Sequence, residues 1–521
     1  DDFRGVPMLF QRKKPLDLIL ETASKRSLTR QLGAFDLTML GIGAVIGTGI
    51  FVLTSVAANK AGPGMMYSFI IAGVVCALTA LIYSEIAAMV PVSGSAYTYS
   101  YAVLGELIAW MVGWALILEY AVAAGAVSVG WSGYANGFLA HHGVGLPDFL
   151  TAGPFWIEHM PGNGAAVHLV DGVTHKGGFN LIAFLLALLV TWLLVLGTSK
   201  SAKVTAVLVL IKIAALMAFI FLAFPKVEGA NFVPMLPNGW GTPLSGVGVL
   251  GAAASIFFAY VGFDAVSTAA EETKNPNRNI PIGLIGSLGV CTVIYMLVAY
   301  TAVGSMGAQP GGPLSESKEP LAFVLREIGY PLVGDLVGFA AILALPSVVL
   351  MMMFGQTRIL FTMSRDGLLP ERLAAIHPKF QTPHVVTWIT GVFVAFFAAL
   401  FPVDILADIS NAGTLFAFAC VAVGVMVLRK TDPRRARPFR TPLIWIVGPL
   451  AVGGSALLFF SLGWNPTLKF FVVWSILGLI VYYLYARRGS HLAAGNEHKL
   501  HGKSDKLEAD PLVREGPDSG P

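Results

Sequence analysis

Long apolar stretches separated by short polar segments dominate the chain from residue 35 to residue 487. A helix needs about 20 apolar residues to cross the hydrocarbon core of a bilayer. We therefore predict twelve membrane spans, numbered in chain order: 35-60, 64-91, 107-138, 178-197, 201-224, 245-271, 280-305, 338-362, 384-401, 405-428, 441-462 and 466-487. The pattern predicts an all-α integral membrane protein.

Composition supports this prediction, since 55% of residues are hydrophobic and only 12% are charged, far from the values of soluble domains. Cytoplasmic loops are enriched in Lys and Arg. With the N-terminus inside, 27 of the 34 Lys and Arg residues face the cytoplasm and one, Lys212, lies within span 5. The remaining six are predicted to face the outside: Lys60, Lys176, Lys226, Lys318, Arg326 and Lys469. Both termini are then cytoplasmic, in the cell inner (plasma) membrane.

The remaining composition excludes several functions. The net charge of +4 reflects the Lys and Arg residues of the predicted cytoplasmic loops. Its distribution does not resemble a nucleic-acid-binding surface. Cys76, Cys291 and Cys420 occupy separate spans, which favours small core residues over a disulfide framework or a metal site. No cleavable signal segment is recognisable at the N-terminus, and the polar segment 489-521 is predicted to be a disordered cytoplasmic tail.

Four glycines interrupt span 1 between Gly41 and Phe51, in the run GIGAVIGTGIF. Lipid cannot hydrogen-bond the backbone groups that a broken helix frees, so such a break is tolerated only where protein or a water-filled cavity satisfies them. The run therefore predicts a binding site at membrane depth.

A second interruption lies in span 6, where Gly262 and Asp264 follow the run SIFFAYV. Paired interruptions in two halves of a chain indicate an inverted-repeat transporter with its site between the broken helices. Five spans per repeat is an odd number, so successive repeats have opposite orientations. The predicted organisation is a cytoplasmic segment 1-34, repeat 1 at 35-224, an extracytoplasmic loop 225-244, repeat 2 at 245-428, and an additional pair of spans at 429-488 that we expect to serve packing or dimer contacts.

Two other interpretations of the glycine run compete with this one. A dinucleotide-binding loop would need a preceding strand and an acidic residue about 20 positions later, whereas the first acidic residue after Gly49 is Glu85. Close packing of helices through small residues remains open, although it does not explain the second interruption in span 6.

A broken helix exposes N–H groups at a positive dipole end, which suit a carboxylate, and free carbonyls, which suit an ammonium group. An α-amino acid carries both groups on one carbon. The two breaks therefore predict a substrate held mainly by main chain.

Three charged residues are predicted to lie within the bilayer: Lys212, Glu119 and Asp264. Burying the ammonium of Lys212 costs about 3 kcal/mol, and desolvation lets a lysine gain and lose a proton. Lys212 is therefore our candidate for proton coupling, with a fixed ion pair as the alternative. Glu119 is predicted to bind the substrate amine or side chain, with structural pairing as the alternative. Asp264 is predicted to assist proton coupling, with helix capping as the alternative.

Phe258 is a further candidate for the substrate site, and other residue types are expected to have no role in it. Phe258 at the second break is predicted to cover the substrate, although aromatic residues are common filler. The glutamates at span ends are expected to be solvated at the membrane surface: Glu85, Glu106, Glu271 and Glu272. The ten histidines show no common spacing for a metal, and no nucleophile and base pair is recognisable. Enzyme activity and cofactors are therefore not expected.

Three motifs carry a resemblance to a known family. They are the run Gly41 to Phe51, the segment EETKNPNRNIP from Glu271 to Pro281, and the segment SRDGLLP from Ser364 to Pro370, which is followed by Pro378-Lys379 and Thr382-Pro383-His384. Together they resemble the amino acid-polyamine-organocation superfamily, most closely bacterial members of its cationic amino acid transporter branch. The resemblance covers residues 30 to 488.

This resemblance implies a five-plus-five inverted repeat (a LeuT-like fold) with broken helices 1 and 6, working by alternating access. It implies substrate contacts at Val45, Thr48, Gly49, Phe258, Ala259 and Val261. It also implies that Lys212 takes the place of sodium in proton-coupled members. Vertebrate members look asparagine-like at that position, which favours the bacterial, proton-coupled type. Bacterial relatives of the branch carry neutral as well as cationic amino acids.

The sequence therefore predicts a secondary active transporter that imports L-α-amino acids with protons, the coupling ion, and without another cofactor. Its expected partners are the amino acid and the lipid bilayer, and the oligomeric state is open. An exchanger or uncoupled facilitator that uses Lys212 structurally is the alternative. A receptor that binds an amino acid without moving it is a more distant one, since the small loops offer no output module.

Overall fold

The computed structural model describes residues 13–14, 32–90, 95–154, 169–170, 173–174, 178–197, 202–263, 266, 273–380 and 382–492. Most of these residues are helical. The β-structure among them is a hairpin of two short strands, β1 (Leu169–Val170) antiparallel to β2 (Val173–Thr174), and an isolated bridge between Leu32 and Thr273.

The helices of the first half follow the predicted spans closely. They are α1 (Ala34–Val45), α2 (Thr48–Phe51), α3 (Leu53–Ala61), α4 (Met65–Met89), α5 (Ser95–Val103), α6 (Glu106–His141), α7 (Asp148–Thr151), α8 (Leu181–Leu196) and α9 (Ala202–Ala223). Short 3₁₀ turns at Phe224–Lys226 and Gly229–Phe232 follow α9.

The second half begins with α10 (Gly248–Ile256), which continues as a 3₁₀ turn at Phe257–Tyr260. After it come α11 (Pro276–Met306), α12 (Pro313–Glu316), α13 (Pro320–Glu327), α14 (Pro331–Arg365), α15 (His384–Leu400), α16 (Val403–Thr431), α17 (Ile444–Ser461), α18 (Lys469–Val481) and α19 (Arg487–Gly489). A helical turn at Trp464–Leu468 precedes α18.

Local sequence explains several of these boundaries. Helices α11 and α14 begin at proline, which needs no partner for the missing N–H at the first helical position. Helix α8 begins after Asn180, whose side chain accepts a hydrogen bond from the Ala183 N–H, and ends at Gly197 in the left-handed region.

Within the described residues, eight helical segments are long and apolar enough to cross a membrane. Four shorter apolar helices occur as well: Ala34–Val45, Leu181–Leu196, Gly248–Tyr260 and His384–Leu400. Helix is present in each of the twelve predicted spans. The helical membrane character is thus confirmed, whereas the count of twelve and the inverted repeat stay predictions.

The long helix α6 lies at the centre of the packing, against α14 and α16. Helix α11 packs on α1 and α4, and α10 packs on α3 and α4. These contacts bring the two interrupted segments of the chain together in the interior, where almost every residue from Gly41 to Ala61 is buried.

Helix α18 attaches to α6 through indole rings. The Trp114 ring lies 4.7 Å from that of Trp474, nearly parallel to it, and each indole N–H donates to the other residue's carbonyl, at 2.9 and 3.0 Å. Trp110 donates in the same way to the Gly478 carbonyl at 2.8 Å. The outer face of α17 and α18 remains covered with half-exposed apolar side chains such as Leu450 and Ile476, as lipid contact requires.

Candidate functional site

The first interruption separates α1 from α2 at Ile46 and Gly47. Ile46 is extended, with φ −71° and ψ 100°, and Gly47 has φ −152° and ψ −147°. The following residue, Thr48, resumes the helix, and Val52 keeps right-handed angles between α2 and α3. The break therefore splits one span into two halves, which we name by the predicted orientation as the inner half, α1, and the outer half, from Thr48 to Ala61.

Side chains from three other helices bind carbonyls at this break. Lys212 of α9 donates to the Gly43 carbonyl at 3.1 Å, and Tyr295 of α11 donates to the Val45 carbonyl at 2.9 Å. On the outer half, Tyr134 of α6 donates to the Phe51 carbonyl at 2.7 Å. All three side chains are almost fully buried. The interrupted helix is thus satisfied by protein groups, as a break away from water must be.

Thr48 begins the outer half and is buried, with 1% of its surface exposed. Among the described residues, its hydroxyl oxygen has no hydrogen-bond partner. A buried hydroxyl without a partner costs free energy, so it is a site where a ligand group or a water gains a bond.

The second interruption follows α10. After the 3₁₀ turn Phe257–Tyr260, Val261 is extended and Gly262 has φ +113°, a conformation that favours glycine. A Cβ atom on Gly262 would lie 2.9 Å from the Ala44 carbonyl oxygen, which is a second reason for glycine there. Phe258, Ala259 and Val261 are all buried.

The two interruptions contact each other. A Cβ atom on Gly49 would overlap the Ala259 backbone, so the outer half of the first broken helix lies directly against the 3₁₀ turn of the second. Tyr295 joins them further, because its hydroxyl binds Val45 while its ring lies 5.4 Å from that of Tyr260. The structure therefore brings together the predicted substrate contacts of spans 1 and 6: Val45, Thr48, Gly49, Phe258, Ala259 and Val261.

Glu119 lies on α6, outside the two interrupted segments. Glu119 is buried between α6 and α16, and Ser410 of α16 donates to its backbone carbonyl. A Cβ atom on Gly413 would lie 3.1 Å from the Cβ atom of Glu119. Its contact with substrate stays a prediction. Asp264 lies outside the described residues, as do Glu271 and Glu272.

The expectation that Glu85 and Glu106 are solvated is wrong. Both are 1% exposed. Glu85 accepts two hydrogen bonds from the Arg429 guanidinium, each at 2.7 Å, and one from the Thr441 N–H. Glu106 accepts hydrogen bonds from the hydroxyls of Tyr101 and Tyr482. Sequence alone does not distinguish a helix-end carboxylate that faces water from one that binds a partner distant along the chain.

Sequence reasoning also missed a polar cluster near the two broken segments. Lys60 at the end of α3, Ser255 of α10 and Asp408 of α16 bind one another within 2.7 Å. Asp408 is a charged residue inside predicted span 10, and that position was the one available signal. The sequence carried no such signal for Tyr295 and Tyr134, because a tyrosine in an apolar helix usually serves only in packing.

Neither a metal centre nor a disulfide emerges in the described part of the chain. No group of three or more His, Cys, Asp or Glu side chains there could hold a metal ion. Cys76 and Cys291 are buried free thiols, and Cys420 is half-buried.

Comparison with known proteins now gives the family. The profile described as amino acid permease matches residues 32–484. The chain is 45% identical to the branched-chain amino acid permease BcaP of Bacillus subtilis, covering 93% of this chain and 99% of that protein. It is 42% identical to the methylthioribose transporter of the same organism, over 92% and 98% of the two chains.

A plant relative extends the likeness to cationic transporters. The chain is 36% identical to cationic amino acid transporter 9, chloroplastic, of Arabidopsis thaliana, over 80% of this chain and 69% of that protein. The resemblance drawn from three sequence motifs is thereby confirmed, and the protein is a transporter rather than an enzyme. The chain belongs to the amino acid permease family of multi-pass membrane proteins.

Proposed function

We propose that this protein imports L-α-amino acids across the plasma membrane by proton symport, through alternating access around the two facing breaks. The contact of Gly49 with Ala259 carries the proposal, because it sets the start of the outer half of the first broken helix against the 3₁₀ turn of the second. The N–H end of the outer half beginning at Thr48 suits the substrate carboxylate, and the Thr48 hydroxyl supplies a further donor. Carbonyls of the 3₁₀ turn accept from the ammonium.

Apolar side chains favour a neutral, branched substrate. Val45, Phe258 and Val261 line the breaks, and Val348 of α14 lies against Gly47. The named substrate of the 45% identical relative is a branched-chain amino acid, which agrees with such walls. A charged substrate side chain would be desolvated there, and Glu119 is the buried carboxylate that could offset that cost.

Lys212 supports proton coupling by its place at the break. Its protonated ammonium binds the Gly43 carbonyl more strongly than a neutral amine would, because a charged donor makes the stronger hydrogen bond. Loss of the proton would loosen α1, the inner half of the broken helix. The same bond also supports the alternative in which Lys212 is a fixed brace of an exchanger or facilitator.

The test is uptake of labelled leucine into proteoliposomes, with and without an inward proton gradient. Symport predicts concentrative uptake only with the gradient, and uptake that ignores the gradient would contradict it. Lys212→Met should lower gradient-driven uptake about 100-fold or more, while Lys226→Met, at an exposed lysine outside the spans, should leave it unchanged. If Lys212→Met exchanges internal for external leucine normally, the residue couples protons; if exchange fails too, it is a brace.

Substrate choice needs its own measurement. A competition panel against labelled leucine should include isoleucine, valine, alanine, lysine, arginine and methylthioribose. We expect isoleucine and valine to compete best. Strong competition by methylthioribose alone would favour the activity named for the 42% identical relative.

A further inference from the structure

The loop between α16 and α17 carries a dense positive charge. Six of the twelve residues from Arg429 to Arg440 are Lys or Arg, and one, Asp432, is acidic. The distribution of Lys and Arg along the chain places this loop on the predicted cytoplasmic side. Orientation in the membrane requires positive charge there but no particular arrangement of it, so a fixed arrangement needs a further explanation.

Two of the six cations attach the loop to the helix bundle. The Arg429 guanidinium donates twice to Glu85 of α4, and Arg437 approaches the same carboxylate to 3.3 Å. The Thr441 N–H also donates to Glu85, at 2.8 Å. Arg429 lies at the end of α16 and Thr441 shortly before α17, so one buried carboxylate holds both ends of the loop on α4.

Arg437 also holds the backbone of the loop itself. Its guanidinium donates to the carbonyls of Leu428 and Asp432, at 3.1 and 2.7 Å, where α16 ends. It donates further to the carbonyls of Pro433 and Arg435, at 3.3 and 2.9 Å. These bonds satisfy carbonyls at the C-terminus of α16 and fix the turn that follows it. The loop is therefore a fixed platform.

Three other cations remain at the surface of this platform. Lys430, Arg434 and Arg440 are all exposed. Within the described residues, none of the three forms an ion pair with a carboxylate. Like charges that share one fixed loop repel each other, so a bound anion would relieve that repulsion.

Apolar side chains lie directly beside these cations. The Lys430 ammonium stands 5.2 Å from the centre of the Trp445 ring, in the first turn of α17. Leu443, Trp445 and Ile446 are 72, 54 and 56% exposed. Tryptophan beside lysine is typical of the membrane–water interface, where the ring meets acyl chains and the ammonium meets phosphates. Positive charge therefore borders an apolar surface at the level of the lipid headgroups.

We propose that Lys430, Arg434 and Arg440, together with Trp445, bind the headgroup of an anionic phospholipid in the cytoplasmic leaflet. The phosphate lies among the three cations, and the acyl chains follow the exposed side of α17. An acidic soluble protein would match the charges but would leave the apolar side chains uncovered, which favours the lipid. The site goes beyond the proposed function, since it depends on neither the substrate nor proton coupling.

Retention of added lipid by the purified full chain, measured by native mass spectrometry from detergent, tests the site. Phosphatidylglycerol and phosphatidylcholine with the same acyl chains are added in equal amounts. The test variant is Lys430→Gln/Arg434→Gln/Arg440→Gln. The matched control removes three exposed cations from other loops on the same predicted side, in the variant Lys274→Gln/Arg372→Gln/Lys379→Gln.

We expect the parent to retain phosphatidylglycerol in preference to phosphatidylcholine, and the test variant to reduce that preference at least about tenfold. The control variant should stay within about twofold of the parent. Trp445→Ala should weaken retention of phosphatidylglycerol about threefold, whereas Trp388→Ala, at another exposed tryptophan, should leave it unchanged. Because Trp445→Ala keeps every charge, it tests the site independently of the triple variant.

The proposal is overturned if the test and control variants lose the preference equally, because general surface charge would then explain it. It is also overturned if the parent does not distinguish the two lipids, which is the result expected if the loop serves an acidic protein instead. Displacement of phosphatidylglycerol by an equal concentration of soluble glycerol phosphate would contradict it as well, since the loop would then bind a free phosphate ester.

Discussion

The two interrupted helices are held in different ways. Carbonyls of the first accept hydrogen bonds from side chains of three other helices, Lys212, Tyr295 and Tyr134. At the second break itself the backbone approaches closely, at Gly49 against Ala259 and at Gly262 against Ala44, whereas side-chain donors reach that helix before the break, where Asn411 donates to the Ala254 and Ser255 carbonyls. The first break should therefore respond to loss of a hydrogen bond, and the second to added volume.

The largest effect is expected for Gly49→Val. Its side chain would overlap the Ala259 backbone, which cannot move aside as a flexible side chain could. We expect leucine uptake to fall about 100-fold or more, since even small displacements of a binding site are costly. Uptake per membrane-inserted transporter is the measurement, with Gly289→Val as control because a Cβ atom at Gly289 has open space around it. Near-normal uptake by Gly49→Val would show that the breaks do not need this contact.

Gly262→Ala should have the next largest effect. The residue must keep φ +113° and meets the Ala44 carbonyl, and a strained backbone of this kind costs about 1–3 kcal/mol. If that cost falls on the transport-competent arrangement, the uptake rate drops about tenfold for each 1.4 kcal/mol. Gly289→Ala is the control within a helix. Unchanged uptake together with an unchanged melting temperature would mean that the segment after Val261 relaxes freely.

Tyr295→Phe should have the smallest effect of the three. It leaves the ring against Tyr260 but removes the donor to the Val45 carbonyl, and an unsatisfied buried acceptor costs about 1–3 kcal/mol. A water that replaces the hydroxyl would reduce the loss, so we expect about a threefold to tenfold higher KM for leucine.

Tyr134→Phe offers the comparison for this variant, since it removes the equivalent bond to Phe51 on the outer half only. Its effect should fall on the melting temperature rather than on KM. Equal KM effects in the two variants would refute a special role for the bond at Val45.

Sequence alone predicted the positions of both breaks because glycine density and apolar length act locally along the chain. It also identified Lys212 as a candidate, since a charge within a span needs a partner, and the structure places that side chain on the Gly43 carbonyl at the first break. What it could not predict were partners distant in sequence. Tyr295 meets Val45 across 250 residues, and nothing in an apolar run with one tyrosine indicates that contact.

The direction of charged side chains at span ends was also beyond sequence reasoning, for a related reason. Lys60 lies at a span end, where an ammonium normally reaches water, yet its flexible stem turns inward to Ser255 and Asp408. Glu85 similarly binds Arg429 across 344 residues instead of facing solvent. The direction of such a side chain depends on which helices assemble around it, and that follows from tertiary packing rather than from local pattern.

The reciprocal bonds between Trp114 and Trp474 have an optical consequence. Two nearly parallel indoles 4.7 Å apart couple electronically, and their circular dichroism in the near ultraviolet depends on their separation and angle. Because each ring is held by the other residue's carbonyl, α18 cannot slide along α6 without breaking both bonds together. The native protein thus contains a label-free spectroscopic marker of whether its last long helix stays in place or moves during each turnover.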